Sequence, residues 1–193
     1  MAKRLKIADR DAMRQWEEFR NGLLNAATVD DTESYEEKKR RIAKLESSPE
    51  QWFAYYFPTY YKSEPASFHK RATKRLIDNN RWYEVRAWSR ELAKSVRSIM
   101  EVTYLALTKQ IVNVLLISNS EDNANRLLMP IMITLESNPR IINDYGVQQR
   151  PGKWEIGEFT TMQGCAFRAL GAGQSPRGTR NEASRPDFIL IDD

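Results

Sequence analysis

Charged residues with sparse apolar anchors fill positions 1 to about 50, a pattern typical of helices on a protein surface. Start and stop signals place two such helices at 9–24 and 34–45, and a further helix is predicted at 66–78. An aromatic run occupies 52–61 and is broken by Pro58. These rings either stack nucleic-acid bases or pack a helical lid onto a core, and the lack of interleaved lysines favours packing.

After residue 81 the apolar positions form short runs that alternate with helical spacing. Residues 82–88 combine aromatic and β-branched side chains and are predicted to form a strand. The i, i+3, i+4, i+7 spacing over 94–109 predicts a helix with one buried face. Residues 111–117 have the apolar content of a strand that is buried on both sides in a parallel sheet.

The remaining chain continues this alternation. Ser118 and Glu121 have capping-box spacing, which predicts a helix to about residue 137 that Pro130 kinks or breaks. Further strands are expected at 154–160 and 166–170. Strands and helices alternate with short connections, so the predicted class is α/β, with right-handed crossovers and a parallel sheet flanked by helices.

The composition restricts the chemistry. With 193 residues, 41% of them hydrophobic, the chain can build one sizeable core but not two. The only cysteine is Cys165 and the only histidine is His69, which excludes a zinc site of several Cys and His ligands. A serine or cysteine nucleophile would depend on His69, and no nucleophile-elbow pattern accompanies it. Carboxylates, lysines, arginines and hydroxyls remain, and these groups favour phosphate chemistry.

The charge and the hydropathy narrow the possible partners. A formal net charge of +4 permits a polyanionic partner. The basic clusters at 38–41 and 70–75 are interpreted as solvated helix faces rather than as DNA-binding sites. No run approaches the roughly 20 apolar residues that span a bilayer, and the N-terminus lacks the apolar stretch of a signal peptide. We therefore expect a cytosolic protein without a membrane partner.

A lysine and a serine stand where the helix over 94–109 begins. The free N–H groups and partial positive charge of a helix N-terminus attract phosphate. Lys94 adds a full charge there, and the Ser95 hydroxyl can bind magnesium, which is the arrangement of a P-loop. The standard motif has glycines where this chain has Trp88 and Ala93, so the pattern is a deviant one.

Two acids follow the last apolar run. Four apolar residues, 188–191, precede Asp192 and Asp193. A buried parallel strand delivers such a carboxylate to the ligand-binding edge of its sheet, where P-loop NTPases hold magnesium. The acids could instead terminate a strand in a solvated turn. Their place about 100 residues after the Lys–Ser pair favours the magnesium role.

Three stretches resemble the ATPase domain of phage large terminase subunits, the motors that package viral DNA. The turn 89–95 is similar to the deviant Walker A motif of that family, which begins with Ser-Arg. Residues 115–146 are similar to its second strand and following helix. Residues 171–193, the most specific stretch, are similar to its approach to Walker B. The resemblance covers roughly 50–193, and the acidic motifs of helicases are not found.

The resemblance implies a fold and a domain organisation. The fold would be a P-loop NTPase of the RecA-like (ASCE) type, with ATP and Mg²⁺ as cofactors. Residues 1–64 would form a helical N-terminal or lid segment, and 65–193 the ATPase core. The core would be truncated at Walker B, with the nuclease domain of the family absent, so weak or no ATP turnover is expected of this fragment.

Position by position, the resemblance also implies roles. Lys94 would contact the β- and γ-phosphates, and Ser95 with Asp192 would hold magnesium. Asp193 stands at the place of the catalytic glutamate of the family, with one methylene less. The nucleotide-binding set further includes the other loop residues and an adenine-contacting histidine: Ser89, Arg90, Glu91, Leu92, Ala93 and His69.

Three arginines complete the implied site. Arg90 would touch the γ-phosphate as part of the deviant loop and is counted among the catalytic residues. Arg180 or Arg177 is the candidate arginine finger offered to a neighbouring subunit. Alternatively, these two arginines bind a carboxylate and order a loop.

The implied function is hydrolysis of Mg-ATP coupled to translocation of double-stranded DNA into a procapsid. The implied partners are the portal protein, the small terminase subunit and copies of the same chain in a ring, in the cytoplasm of a bacterial host as a phage or prophage protein. Two alternatives stay open. One is a non-catalytic nucleic-acid-binding or assembly module that uses the basic helices and the aromatic run. The other is a helicase-type NTPase.

Overall fold

The computed structural model describes residues 7–174 and 184–192. Within these ranges, no helix combines the length and the apolar content needed to cross a membrane. The described chain forms seven helices and five strands, in this order: α1 (Ile7–Ala26), α2 (Tyr35–Glu46), α3 (Pro49–Tyr56), α4 (Ser67–Asp78), α5 (Lys94–Leu107), β1 (Asn113–Ser118), α6 (Glu121–Ser137), α7 (Pro139–Tyr145), β2 (Gln149–Glu155), β3 (Glu158–Thr161), β4 (Ala166–Gly171) and β5 (Phe188–Ile191).

The five strands form one mixed sheet in the order β2-β3-β4-β1-β5. β1 runs parallel to β4 on one side and to β5 on the other, whereas β3 is antiparallel to both β2 and β4. The expected all-parallel sheet is therefore wrong on the β2–β3 side. The single strand predicted over 154–160 is a hairpin, because Glu155 pairs with Glu158 across a turn in which Gly157 has a φ of 89°.

Helices cover the sheet and one another. α6 lies against β1 and β4, and it also packs on α1 and α5. α5 in turn contacts α3 and α4. At the start of α6, a Cβ added to Gly171 would lie 2.5 Å from the backbone nitrogen of Glu121, so β4 ends directly against the first turn of α6. The predicted α/β class with flanking helices is confirmed.

The predicted helices at 9–24, 34–45, 66–78 and 94–109 are confirmed as α1, α2, α4 and α5, with small shifts at their ends. The predicted strands at 111–117 and 166–170 are likewise confirmed as β1 and β4. α3 and α7 are two short helices that the hydrophobic pattern did not separate from their surroundings. Each begins with a proline, which fits the first turn of a helix because no N–H is needed there.

The capping box predicted at Ser118 is wrong. Ser118 is the last residue of β1, and Ser120 is the N-cap of α6, where its Oγ accepts a hydrogen bond from Asn123 N at 3.2 Å. α6 also continues through Pro130, so of the predicted kink or break the break does not occur. Burial of apolar residues on both sides of the proline, such as Leu128 and Ile131, compensates for the lost backbone hydrogen bond.

The strand predicted over 82–88 is wrong as well, since this segment joins no ladder in the described chain. Its side chains nevertheless alternate as in a strand. Tyr83 and Val85 are 86% and 74% exposed, whereas the side chains of Glu84 and Arg86 are 13% exposed. Ion pairs rather than a neighbouring strand hold the inner side of this segment.

The aromatic run over 52–61 forms part of the core. Trp52, Phe53, Tyr56 and Phe57 are fully buried, and the Trp52 ring meets Tyr104 of α5 edge-on at a centroid distance of 5.2 Å. The packing interpretation is therefore confirmed, and these four rings offer no face for stacking bases. The hydrophobic cluster they belong to also includes residues of β1, β3, β4 and α6.

Candidate functional site

Three polar side chains meet at the carboxyl edge of β1, β4 and β5. Lys94 and Ser95 open α5, and Asp192 directly follows β5. Lys94 Nζ lies 3.1 Å from Asp192 Oδ1, and Ser95 Oγ donates to Asp192 Oδ2 at 3.2 Å. The side chains of Lys94 and Asp192 are 36% and 15% exposed, so solvent reaches the group. A lysine and a hydroxyl thus both contact one carboxylate, although 97 positions separate Ser95 from Asp192.

The register of β5 carries Asp192 to this point. Ile191 pairs with Ile117 of β1, and Asp192 N donates to the carbonyl oxygen of Ile117 at 3.0 Å. At the opposite end of β5, the Asp187 carboxylate accepts from the backbone nitrogens of Val112 and Asn113, at 2.9 and 2.8 Å. Both ends of the strand are thereby fixed against β1. Asp187 is a positioning residue that the sequence did not identify, because its partners lie 74 and 75 positions away.

The loop before α5 has an unusual backbone. Glu91 and Ala93 have φ angles of 68° and 55°, in the left-handed region that favours glycine. Ala93 is also the N-cap of α5, and its carbonyl oxygen accepts the first helical hydrogen bond from Arg97 N at 2.8 Å. The position of the missing motif glycine therefore does adopt a glycine-like conformation. Ser89, Arg90 and Leu92 are exposed on the same loop.

His69 holds this loop from α4. Its Nε2 lies 2.9 Å from the carbonyl oxygen of Leu92, an acceptor, so Nε2 carries the proton. His69 Nδ1 is buried and has no hydrogen-bond partner in the described chain. The ring packs against Phe68 and Trp88, with centroid distances of 4.1 and 5.0 Å. The predicted nucleotide-contacting histidine is thus beside the loop, together with two further rings.

Three residues of the predicted site, Asp193, Arg177 and Arg180, lie outside the described ranges. The chain that leads towards them is fixed at the same rim of the sheet. Gln174 Nε2 donates to Glu121 Oε2 at 2.5 Å, and Gln174 Oε1 accepts from Gly171 N at 2.7 Å. The end of β4 and the start of α6 therefore lie beside β1 at the carboxyl edge of the sheet.

The donor set fits a magnesium ion. The Ser95 hydroxyl and the Asp192 carboxylate are oxygen donors, which Mg²⁺ prefers. In the described chain, no three His, Cys, Asp or Glu side chains form a metal-binding group. Magnesium in nucleotide sites is usually held by one or two protein oxygens with water and substrate phosphates, so a serine and one aspartate suffice.

Members of both basic clusters contact other parts of the chain. Arg41 pairs with Glu33 at 2.7 Å and with Asp144 at 2.6 Å. Lys70 pairs with Glu64 at 2.7 Å. These ion pairs connect α2 and α4 to neighbouring loops and α2 to α7. Arg41 and Lys70 therefore form contacts within the fold.

No family model matches the chain, and searches of the curated proteins and of the solved structures found no match. The chemistry of the site therefore follows from its own side chains. These are a cation and a hydroxyl at a helix N-terminus, opposite a carboxylate at the end of a parallel strand. Such a group can bind a phosphate chain together with a divalent cation.

Proposed function

We propose that this chain binds Mg-ATP at the start of α5 and serves as the ATPase of a viral DNA-packaging terminase. One observation carries the nucleotide part of the proposal: the Asp192 carboxylate contacts both Lys94 Nζ and Ser95 Oγ. Lys-Ser at a helix start and an aspartate after a neighbouring parallel strand are the two halves of a P-loop NTPase site.

Each side chain then has a definite task. The N–H groups and partial positive charge of α5 attract the phosphates, and Lys94 leaves Asp192 to pair with the outer ones. Asp192 and Ser95 are freed as oxygen ligands for the cation, which supplies charge stabilisation to the phosphates when bound. Arg90 is exposed on this loop. We expect its guanidinium to contact the γ-phosphate.

The nucleobase would lie near His69. The rings of Phe68, His69 and Trp88 are each only partly buried and border the loop that precedes Lys94. His69 Nδ1 is buried, so a base at this place would contact the aromatic rings rather than this nitrogen.

The motor role depends on the resemblance of the loop 89–95 and of the stretch 171–193 to large terminases. In that role the substrate is double-stranded DNA, the partners are a portal protein and a small terminase subunit, and copies of the chain form a ring. Arg177 or Arg180 of one subunit would then reach the site of the next, and Asp193 would orient the attacking water. The setting is the cytoplasm of a bacterial host.

Titration of a fluorescent ATP analogue in the presence of magnesium tests the nucleotide site. Removing one charged contact in Lys94→Ala should weaken binding roughly 10- to 100-fold. Lys153→Ala is the matched control, because Lys153 is an exposed lysine of β2, at the other edge of the sheet. Asp192→Asn should remove most of the magnesium dependence of the affinity.

Equal affinities of the wild type and Lys94→Ala would contradict the assignment. The same proteins can be titrated with double-stranded DNA at several salt concentrations. A salt-sensitive DNA affinity that ignores both ATP and Lys94 would instead favour the non-catalytic nucleic-acid-binding module.

A further inference from the structure

The segment 82–88 reaches the phosphate loop without the support of a β ladder in the described chain. Its inner side is held by Arg86. Arg86 Nη1 donates to Glu101 Oε2 at 2.6 Å, and Arg86 Nε donates to Glu84 Oε1 at 3.0 Å. Glu84 also accepts from Trp82 Nε1 at 2.9 Å and from Arg75 Nε at 3.2 Å. Arg86 therefore links this segment to α5, and Glu84 links it to α4 through Arg75.

Glu101, the partner of Arg86, is buried in the middle of α5 with a side-chain exposure of 2%. It accepts a hydrogen bond from Thr73 Oγ1 of α4, and its Oε1 lies 3.6 Å from Arg97 Nε. Arg97 extends the network, because it pairs with Glu50 of α3. A buried carboxylate at this place is satisfied only if the cations stay in position.

The network continues from Arg86 towards the loop. The Arg86 guanidinium lies 5.3 Å from the centre of the Trp88 ring, and Trp88 in turn packs against His69. His69 donates to the carbonyl oxygen of Leu92. Before residues 89–91, the chain is connected to Glu101 through Arg86. After them, Leu92 is connected to Glu101 through His69, Trp88 and Arg86.

We propose that Arg86 and Glu101 are positioning residues that hold the loop 89–93 in its phosphate-binding conformation. Hydrogen bonds to a neighbouring strand usually fix the end of a strand. Here the ion pair between Arg86 and Glu101 fixes the chain before the loop instead. The loop needs such support because Glu91 and Ala93 are held at positive φ, which an unsupported chain would leave. The effect on ATP rests on the proposed function, whereas the effect on the loop does not.

Arg86→Met tests this inference, because it keeps an unbranched apolar stem and removes the charged guanidinium. Two quantities are measured: the Kd of the fluorescent ATP analogue, and the rate of hydrogen exchange at the amides of residues 89–95. If the competent loop conformation falls to about one tenth of the population, the apparent Kd rises about tenfold. Exchange at these amides should become faster than in the wild type.

Arg41→Met is the control for a general loss of stability. Arg41 forms a partly buried ion pair with the buried Asp144, on α2 and α7, away from the loop. This variant should lower the melting temperature in a similar way but leave both the Kd and the exchange of 89–95 unchanged. Arg86→Lys, which keeps the charge, should restore part of the affinity.

Unchanged exchange at 89–95 in Arg86→Met would overturn the proposal, and so would equal acceleration in Arg41→Met. If the wild type binds no ATP analogue, the proposed function fails, yet the exchange measurement still decides the positioning role. If Arg86→Met does not fold, Glu101→Gln, which removes the other charge of the pair, takes its place: faster loop exchange at an unchanged rate in α6 supports the proposal, and wild-type loop exchange overturns it.

Discussion

Ala93 occupies a backbone conformation that its side chain disfavours. The left-handed region costs a residue with a Cβ about 1–2 kcal/mol, and Glu91 is in the same situation two positions earlier. Such strain persists only where the surroundings enforce it, and it concentrates at functional loops. The loop therefore has a glycine-like path but lacks the glycines that would relax it.

Replacing Ala93 by glycine should raise stability. Relief of the strain exceeds the larger entropy loss of glycine, so we expect the free energy of unfolding to rise by about 0.5–1 kcal/mol. Urea unfolding measures the change. Ala87→Gly is the control: Ala87 has no positive φ, and its replacement should lower stability by about 0.5–1 kcal/mol. A destabilised Ala93→Gly would show that the αL conformation is not enforced.

Lys94, Ser95 and Asp192 could be predicted because their signals are local. A Lys-Ser pair at a helix start and an acid after an apolar run can be recognised within ten positions. Glu101 and Asp187 could not be found this way. In the sequence, Glu101 is only one polar residue within a helical pattern. Its role follows from its contacts with Arg86 and Thr73, which only the three-dimensional structure reveals.

Among the elements, the helices were easier to predict than the strands. A helix satisfies its own backbone, so periodicity and capping residues decide it locally. A strand needs a partner, which local sequence does not specify. The alternation over 82–88 is present in the structure, but no described strand lies beside it. The predicted start of α6 is wrong for a different reason. Ser118 and Ser120 are both residues that favour the N-cap, but Ser118 pairs with β4 as the last residue of β1, so Ser120 becomes the N-cap.

Ser120→Ala should destabilise the protein by about 1 kcal/mol, because the first turn of α6 loses its side-chain cap. Ser67→Ala is a suitable comparison. Ser67 also lies at a helix start, but Ala66 is the N-cap of α4, so its replacement should change stability by less than about 0.5 kcal/mol. Thermal unfolding of both variants measures the difference. Equal effects would mean that the cap of α6 contributes nothing specific.

At the scale of the whole molecule, one core joins the N-terminal helices to the sheet. Tyr60 and Cys165 lie in or against this core, and burial raises the pKa of each to about 12. The α/β class of the molecule followed from the alternation of elements. The mixed direction of the sheet did not, because it depends on a two-residue turn at Gly157 within what the sequence presents as one strand.

These raised pKa values predict sensitivity to alkali. Unfolding lets Cys165 ionise near its ordinary pKa of 9.0, so its contribution to stability is complete below pH 9 and is lost as the pH rises towards 12. The urea midpoint should therefore fall steadily above pH 9. Cys165→Ala should weaken this dependence, with the remainder due to tyrosines such as Tyr60. A midpoint that stays constant from pH 8 to pH 11 would contradict the prediction.

The distance along the chain between Ser95 and Asp192 has a consequence for biosynthesis. A nascent polypeptide that has left the ribosome only as far as β4 already exposes Lys94 and Ser95, whereas their acidic partner has not yet emerged. Closing a loop of 97 positions is entropically unfavourable until β5 adds to β1. Under the proposed function, the complete site for nucleotide and magnesium would therefore form only after β5 docks on β1, because Lys94 gains its counter-ion from β5 at that step.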